Sequence, residues 1–179
     1  MITEEVKFPR VFDCGIQFSE HKFPPKEYKT GKQDIILPFN WALGQTWTRF
    51  FDGLKEEKIF GTRCNKCNKL LVPARSFCPA CYKDMEEEEW VEVAQAGTVD
   101  TWCLVNYSYY NQVKESPYII AQIQLDNTDC SITHFIGGFD LSDPDTVSKK
   151  MEAVARVKAV WSKKKNADIY DIACFEPVE

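Results

Sequence analysis

The sequence predicts a mainly β protein with an N-terminal helix, in which a small metal-binding ribbon precedes a β-barrel. Two observations carry this prediction. Four cysteines form two CxxC pairs with ten residues between them, Cys64 with Cys67 and Cys78 with Cys81. Further along the chain, apolar and polar residues alternate with the period of two that is typical of β-strands. The chain has 179 residues and is 44% hydrophobic, which suits one domain of average size or two small ones.

Residues 1–39 are predicted to form an extended arm. This segment shows no sustained apolar periodicity, and prolines interrupt it repeatedly. They are Pro9, Pro24, Pro25 and Pro38. We expect the arm to lie along another surface.

Residues 40–59 are predicted to contain an amphipathic helix. Apolar residues recur there at helical spacing, and a polar run follows them. The apolar residues are Trp47, Phe50, Phe51 and Leu54, and the polar run is Lys55, Glu56, Glu57 and Lys58. Trp41 and Leu43 stand just before Gly44, which predicts a short turn of helix that the glycine interrupts.

Residues 60–85 are predicted to form a rubredoxin-like zinc ribbon. Each CxxC turn directs two thiolates and several backbone N–H groups toward one point, so two turns can surround one tetrahedral ion. Four sulfurs leave no position for water or substrate, and the expected Zn²⁺ is therefore structural. A redox pair or a disulfide pair is the alternative interpretation. A redox CxxC needs a strand before it and a helix after it, and the sequence does not supply both twice.

Residues 86–179 are predicted to form a small OB-type β-barrel. Strand-like alternation occurs in residues 90–94, 98–105, 119–125, 131–137, 153–161 and 169–175. The run from Asp126 to Asp129 has the composition of a turn, which predicts a hairpin, and Gly97 suits a bulge or bend. Because closure removes exposed edges, five or six strands favour a five-stranded OB-type barrel.

Composition narrows the classes of function. The net charge is −5 and the pI is about 5.2, which disfavours general attraction to nucleic acid. The sequence has no apolar run long enough for a membrane span and no secretory signal pattern, so a cytoplasmic protein is expected. The remaining cysteines are interpreted as small buried hydrophobic residues. They are Cys14, Cys103, Cys130 and Cys174.

Several motifs, taken in order, resemble those of the acyl-CoA-associated OB-fold proteins, which partner thiolase-fold enzymes. The motifs are Trp47 to Leu54, Arg63 to Cys67, Val72 to Arg75, Phe77 to Cys81 and Gly97 to Val99. The resemblance spans about Trp41 to Pro177. It implies a non-catalytic subunit that binds a thiolase-fold enzyme, and some similar proteins accompany hydratases or aldolases that act on CoA thioesters. The arm before Trp41 departs from the short members of this family and suggests a partner-specific contact.

An aromatic surface is expected to bind the catalytic partner in a hetero-oligomer. The helical stripe must be buried, and a small ribbon with a barrel does not offer enough core to cover Trp41 as well. The alternative is that the whole stripe packs on the chain's own ribbon. Our candidate partner-binding residues are Trp41, Trp47, Phe50, Phe51 and Arg75. For Arg75, contact with a phosphate or capping of the ribbon through backbone carbonyls is the alternative.

Coenzyme A shared with the partner is a second expectation, which the resemblance implies. Because CoA carries phosphates, a subunit that contacts it needs local cations. The candidates are Lys149, Lys150, Arg156 and Lys158, and Lys163, Lys164 and Lys165 occupy the next turn. A solvated lysine-rich hairpin is the alternative. The aromatic residues Trp102, Tyr107, Tyr109 and Tyr110 suit a stacked purine, the cover of a barrel end or a protein interface.

No catalytic residues are assigned from the sequence. His21 and His134 stand outside any Ser/His/Asp or Cys/His motif, and the acidic run Glu86 to Glu89 is interpreted as a solvated face. Two functions remain. The favoured one is an accessory subunit of a CoA-dependent thiolase-type complex, and the other is a stand-alone zinc-ribbon OB module that binds single-stranded nucleic acid.

Overall fold

The computed structural model describes residues 11–12, 30–31, 39–86, 89–107 and 114–178. The chain divides into two compact units, residues 1–42 and residues 43–179. In the first unit, strand β1 (Val11–Phe12) pairs antiparallel with strand β2 (Thr30–Gly31). Most of the predicted extended arm lies outside the described residues.

The second unit begins with helix α1 (Gly44–Lys55), which is shorter than the predicted helical segment 40–59. No helical turn precedes it at residues 41–43, because Gly44 enters the helix with a φ of +73° that interrupts helical geometry. Phe50 and Leu54 are fully buried and anchor one face of the helix. Gly53 lies so close to the ring of Phe60 that a Cβ there would overlap it. The helix therefore packs directly on the strand that follows it.

Two small antiparallel sheets follow α1. Strand β3 (Ile59–Arg63) lies between β4 (Leu70–Leu71) and β7 (Trp90–Val93), and β5 (Phe77–Cys78) pairs with β6 (Lys83–Asp84). The segment 90–94 was expected to belong to the barrel, and the structure corrects this: Trp90 pairs with Thr62. Alternation predicts a strand, but only packing decides which neighbour the strand pairs with.

The barrel contains five strands, as predicted. They are β8 (Ala96–Val105), β9 (Tyr118–Leu125), β10 (Ser131–Ile136), β11 (Val157–Trp161) and β12 (Ile172–Pro177). They close in the order β10-β12-β11-β8-β9. The predicted hairpin is confirmed, because β9 and β10 pair antiparallel across the turn at residues 126–129. Their inward faces hold the core, including Ile119, Ile123, Val157 and Phe175.

Helix α2 (Pro144–Glu152) joins β10 to β11 and was not predicted. Asp143 caps it, since its side chain accepts hydrogen bonds from the backbone N–H groups of Asp145 and Thr146. The strand expected over residues 153–161 consequently begins only at Val157. A short 3-10 helix, Ile169–Asp171, likewise replaces the start of the strand expected over residues 169–175.

Gly97 is required for a close approach of strands and not for the bulge that the sequence suggested. A Cβ at this position would overlap the carbonyl of Gln124 on β9. The irregularity in the β8–β9 register falls instead between Val99 and Thr101. The small side-chain volume of glycine is therefore what β8 needs at this point.

The single cysteines do not share one environment. Cys103 is exposed, so the interpretation of it as a buried residue is wrong, whereas Cys130 and Cys174 are partly buried. Cys14 lies outside the described residues. Within the described ranges, neither helix has the length and apolar character that crossing a bilayer requires.

Candidate functional site

The two CxxC pairs form turns of the same geometry. The N–H of Asn68 donates to the carbonyl of Cys64 at 2.7 Å, and the N–H of Tyr82 donates to the carbonyl of Cys78 at 2.8 Å. Asn68 and Tyr82 each follow the second cysteine of a pair, and their φ values are 61° and 53°. Left-handed backbone is common for asparagine and costly for a bulky residue such as tyrosine. The repeated turn places the sulfurs of both pairs on one side.

The four sulfurs of Cys64, Cys67, Cys78 and Cys81 lie within 4.8 Å of one another. The sulfurs of Cys67 and Cys78 are 3.6 Å apart. Tetrahedral Zn²⁺ with bonds of about 2.3 Å would place its sulfur ligands roughly 3.8 Å apart, so the cluster has suitable dimensions. Cys64 and Cys78 are fully buried and pack with Leu71. The donor set fits a closed, structural zinc site.

Backbone donors and neighbouring sulfurs act in opposite directions on the thiols. The backbone N–H of Cys67 lowers the pKa of Cys64 to about 7 and so favours its thiolate. Hydrogen bonding with the Cys67 side chain raises the pKa of Cys81 to about 12. Four crowded sulfurs cannot all ionise without a cation, whereas a bound dication favours four thiolates.

Glu89 holds the ribbon together and is buried, so the interpretation of the acidic run as a solvated face is wrong for this residue, whereas Glu86 is exposed. Its carboxylate accepts hydrogen bonds from Lys83 Nζ at 2.7 Å, from the N–H of Glu86 at 2.7 Å and from the N–H of Asn65 at 3.2 Å. The Lys83 ammonium lowers the pKa of Glu89. Because Asn65 belongs to the first cysteine turn and Lys83 follows the second, one carboxylate links both turns.

The ribbon is attached to the barrel through the turn between β9 and β10. The carboxylate of Asp129 accepts the N–H of Leu70 at 2.8 Å, and the N–H of Asp129 donates to the Leu70 carbonyl at 2.9 Å. The Cys130 thiol lies 3.0 Å from both the backbone nitrogen and the backbone oxygen of Val72. These contacts connect β4 and the residue that follows it to the barrel.

The predicted partner-binding residues separate into buried and exposed groups. Phe50 is fully buried in the core, and Phe51 is partly buried against it. Phe50 therefore presents no free surface to a partner, whereas Phe51 keeps part of its surface exposed. Trp47 is 43% exposed and Arg75 is also exposed, while Trp41, in the first unit, is 76% exposed. The exposed members are the ones available for docking.

A groove of about 280 Å³ lies between α1 and the ribbon. Its lining consists of Trp47, Pro73, Ala74, Arg75, Ser76 and Phe77. The groove therefore brings together two of the predicted partner-binding residues. Phe77, which sequence reasoning missed as a surface residue, is 48% exposed.

The predicted phosphate-binding cations lie in different settings. Lys149 and Lys150 are exposed in the last turn of α2, and Lys158 is exposed on β11 opposite Glu176. Arg156 already forms an ion pair with Asp126 at 2.6 Å. Lys165, in the following turn, pairs with Glu57 at 2.8 Å. Arg156 is thus the least available of the four candidates.

The histidine and the aromatic residues singled out from the sequence differ in burial. His134 is buried: its Nδ1 accepts the N–H of Phe135, and its Nε2 lies 3.1 Å from the carbonyl of Ile169. Trp102 is partly buried against the core, whereas Tyr107 is 81% exposed. Tyr109, Tyr110 and His21 lie outside the described residues.

Sequence reasoning missed two residues that shape this region. The burial of Glu89 was missed because this residue belongs to an acidic run, although its position directly before an apolar strand could have suggested burial. Thr62 is fully buried, and its hydroxyl bonds both the N–H and the carbonyl of Arg75, which lies thirteen residues further along the chain. No local pattern indicates such a contact.

The fold and the site together define a zinc-ribbon protein with an OB-type barrel. Residues 51–86 match the model of the rubredoxin-like zinc ribbon domain of ChsH2, and residues 90–162 match that of its C-terminal OB-fold domain. The two matches span more than half of the chain in the same order. The chain belongs to the ChsH2 (DUF35) family.

Three relatives illustrate this family. A DUF35 domain-containing scaffold protein of Methanocaldococcus jannaschii is 34% identical over 68 residues, which are 38% of this chain and 48% of that protein. The chain therefore spans about half the length of this curated relative. A DUF35 protein of unknown function from Sulfolobus solfataricus is 32% identical, with a TM-score of 0.44, over 53% of this chain and 70% of that one.

The third relative is a solved structure described as an Ltp2–ChsH2 (DUF35) aldolase. It is 22% identical to this chain, with a TM-score of 0.53, and the alignment covers 77% of this chain and 98% of that one. This likeness supports the fold of the ribbon and barrel.

Proposed function

We propose that this chain is a non-catalytic, zinc-containing accessory subunit of a CoA-dependent thiolase-type complex in the cytoplasm. The observation that carries the non-catalytic part of the proposal is the pair of backbone contacts made by the buried ring of His134. Both of its ring nitrogens are engaged by the backbone, and burial lowers its pKa, so it cannot act as a general base for a nucleophile. No other histidine occurs in the described part of the chain.

Six of the seven cysteines in the described residues support the same conclusion, and the exposed Cys103 has no available base in His134, whose two ring nitrogens are both engaged. Four of them form the sulfur cluster, and Cys130 bonds the backbone of Val72. Burial raises the pKa of Cys174, which disfavours a nucleophilic thiolate. The catalytic residues for acyl transfer must then belong to a partner, which we propose to be a thiolase-fold subunit.

The relatives are consistent with a role in assembly. One is named a scaffold protein, and another occurs in an aldolase with Ltp2. Because the ribbon is bonded to the barrel through Asp129 and Cys130, the two domains can present one pre-organised face to a catalytic subunit.

CoA sharing is the finer part of the proposal. Lys149, Lys150 and Lys158 are exposed cations that could meet the phosphates of a CoA held mainly by the partner. Arg156 would contribute only by exchanging Asp126 for a phosphate oxygen. For the acyl group we propose benzoylsuccinyl-CoA, an intermediate of anaerobic aromatic degradation, because the chain resembles the small subunit of the thiolase that cleaves it.

The test is reconstitution. The chain is co-expressed with a thiolase-fold subunit from the same genome, the complex is isolated by gel filtration, and CoA-dependent cleavage of benzoylsuccinyl-CoA and acetoacetyl-CoA is measured. We expect a stable hetero-oligomer, activity only when both subunits are present, and no turnover by this chain alone. Turnover by the isolated chain, or the lack of any complex, contradicts the proposal.

Two controls separate the parts of the proposal. Activity with acetoacetyl-CoA alone would keep the accessory role and reject the benzoylsuccinyl substrate. Fluorescence anisotropy with labelled single-stranded oligonucleotides tests the nucleic-acid alternative. Salt-sensitive binding at sub-micromolar concentration, without a hetero-oligomer, would favour that alternative.

A further inference from the structure

Two aromatic side chains, Trp47 and Phe77, line the groove between α1 and the ribbon. Trp47 is 43% exposed on the groove side and makes ring contacts with Phe50 at 5.9 Å and Phe51 at 5.6 Å. Phe77, which also lines the groove, is 48% exposed and begins strand β5 beside the buried Cys78. The ring contacts with Phe50 and Phe51 hold the Trp47 side chain in place, whereas Phe77 is positioned through its backbone in β5.

Arg75 is held at the groove by an unusual contact of its backbone. The hydroxyl of Thr62, which is fully buried in β3, accepts the N–H of Arg75 at 3.1 Å and donates to its carbonyl at 3.3 Å. The backbone that carries the guanidinium is therefore fixed while the side chain remains exposed. This arrangement lowers the ordering cost of a contact made by Arg75.

The guanidinium of Arg75 forms no hydrogen bond, ion pair or cation–π contact with any residue in the described ranges. The other arginines within those ranges are engaged: Arg49 lies 4.4 Å over the ring of Trp90, Arg63 donates to Asn68, and Arg156 pairs with Asp126. Although the chain as a whole carries a net charge of −5, an exposed guanidinium without an ion-pair partner in the described ranges attracts an anionic group locally.

The groove is too small and too open to enclose a cofactor as large as CoA. Sites for small ligands usually enclose about 300–1,000 Å³ and bury most of the ligand. This groove has a volume of about 280 Å³ and is partly open. It can seat one apolar side chain, but it cannot enclose a molecule as large as CoA. Tryptophan, tyrosine and arginine are also the residues that most often dominate protein–protein interfaces.

We infer that this groove is the docking site for one segment of the catalytic subunit, in which an aromatic or aliphatic side chain lies next to an Asp or Glu. The apolar side chain packs between Trp47 and Phe77, and the carboxylate pairs with Arg75. This inference rests on the proposed function, since it names the contact through which the hetero-oligomer forms. It assigns the contact with the catalytic subunit to the surface formed by α1 and the ribbon.

The test uses the reconstituted complex and measures its Kd by biolayer interferometry. Arg75→Glu and Trp47→Ala are each expected to weaken binding at least tenfold. Lys114→Glu, which reverses an exposed charge in the segment before β9, is the matched control and is expected to change binding less than twofold. The melting temperature of each free variant shows whether it is folded, and Arg75→Glu is informative even where Trp47→Ala destabilises α1.

A photocrosslink identifies the segment. With p-benzoylphenylalanine in place of Phe77, mass spectrometry of the irradiated complex is expected to recover a partner peptide that contains Asp or Glu near the crosslinked residue. Reversing that acidic residue to Lys should restore binding to Arg75→Glu. A parent complex that forms while both groove variants bind with unchanged Kd overturns this inference and leaves the accessory role standing.

Three further results also overturn the inference. One is a crosslink to a second copy of this chain. Another is protection of Arg75 by free CoA, and the third is a partner peptide without a carboxylate. If the parent chain forms no complex at all, the proposed function itself fails, and the two failures are therefore distinguishable.

Discussion

The thiol of Cys130 in the barrel lies 3.0 Å from both the backbone nitrogen and the backbone oxygen of Val72 in the ribbon. Val72 is 1% exposed, so water cannot replace either bond. A single side chain that donates and accepts thus satisfies two buried backbone groups of another domain. This contact joins the domain that holds the metal to the domain that forms the barrel.

Replacing Cys130 tests this contact. Cys130→Ser keeps a donor and an acceptor and should cost less than about 1 kcal/mol of unfolding free energy, whereas Cys130→Val should cost about 1–3 kcal/mol because two buried polar groups lose their partner. Urea denaturation followed by tryptophan fluorescence measures both. Equal stability of the two variants would show that the thiol contact does not support the junction.

Metal analysis tests the sulfur cluster. We expect one Zn²⁺ per chain by elemental analysis, and Cys64→Ser should lose the metal and unfold the ribbon, because the remaining ligands no longer close a tetrahedron. Cys103→Ser, at an exposed position, is the control and should keep the metal. Freshly purified protein that lacks metal and still forms an active complex would contradict the structural role.

The Glu89 carboxylate should stabilise the cysteine turns. Glu89→Gln keeps one acceptor but loses the charge that pairs with Lys83, and it should lower the melting temperature and speed the transfer of zinc to a chromogenic chelator. Glu89→Ala should have the larger effect, since the N–H groups of Asn65 and Glu86 also lose their acceptor. The exposed Glu86 provides the control variant Glu86→Ala. Identical chelation rates for all three proteins would refute this role.

Burial lowers the pKa of His134, and this sets a pH dependence. Above a pH of about 6.5, the ordinary pKa of histidine, His134 is neutral in both the folded and the unfolded state, and its contribution to stability is complete. As the pH falls below that value, the unfolded chain binds a proton that the folded chain excludes, so stability decreases until the lower folded-state pKa is reached.

His134→Gln should remove this component, because an amide can donate and accept without titrating. The comparison is the slope of unfolding free energy against pH between 5 and 7, measured in the variant and in the parent. Loss of zinc at low pH affects both proteins and cancels in the difference. A parent slope that equals that of the variant would mean that His134 titrates alike in both states.

The N-terminal unit gives a prediction that is separate from the groove. Deleting residues 1–39 and, independently, making Trp41→Ala should weaken binding to the catalytic subunit, because Trp41 is 76% exposed and aromatic anchors commonly contribute about 2 kcal/mol or more. Melting temperatures of the free variants should stay close to the parent value. If both variants bind as tightly as the parent, this unit takes no part in docking.

The sequence alone determined the features that depend on spacing and period. The CxxC pairs predicted the four-sulfur cluster, because two residues between cysteines form a tight turn whatever surrounds it. Alternation predicted the barrel strands, and the turn at residues 126–129 predicted their hairpin. These signals are local, so a single sequence carries them completely.

Only the tertiary structure decided which local elements meet. Alternation did not show that Trp90 pairs with Thr62 outside the barrel, and an acidic run did not show that Glu89 is buried. The contacts of Cys130 with Val72 and of Thr62 with Arg75 join residues that are distant in the chain. Such contacts depend on packing and on the need to satisfy buried polar groups, which the order of residues along the chain does not display.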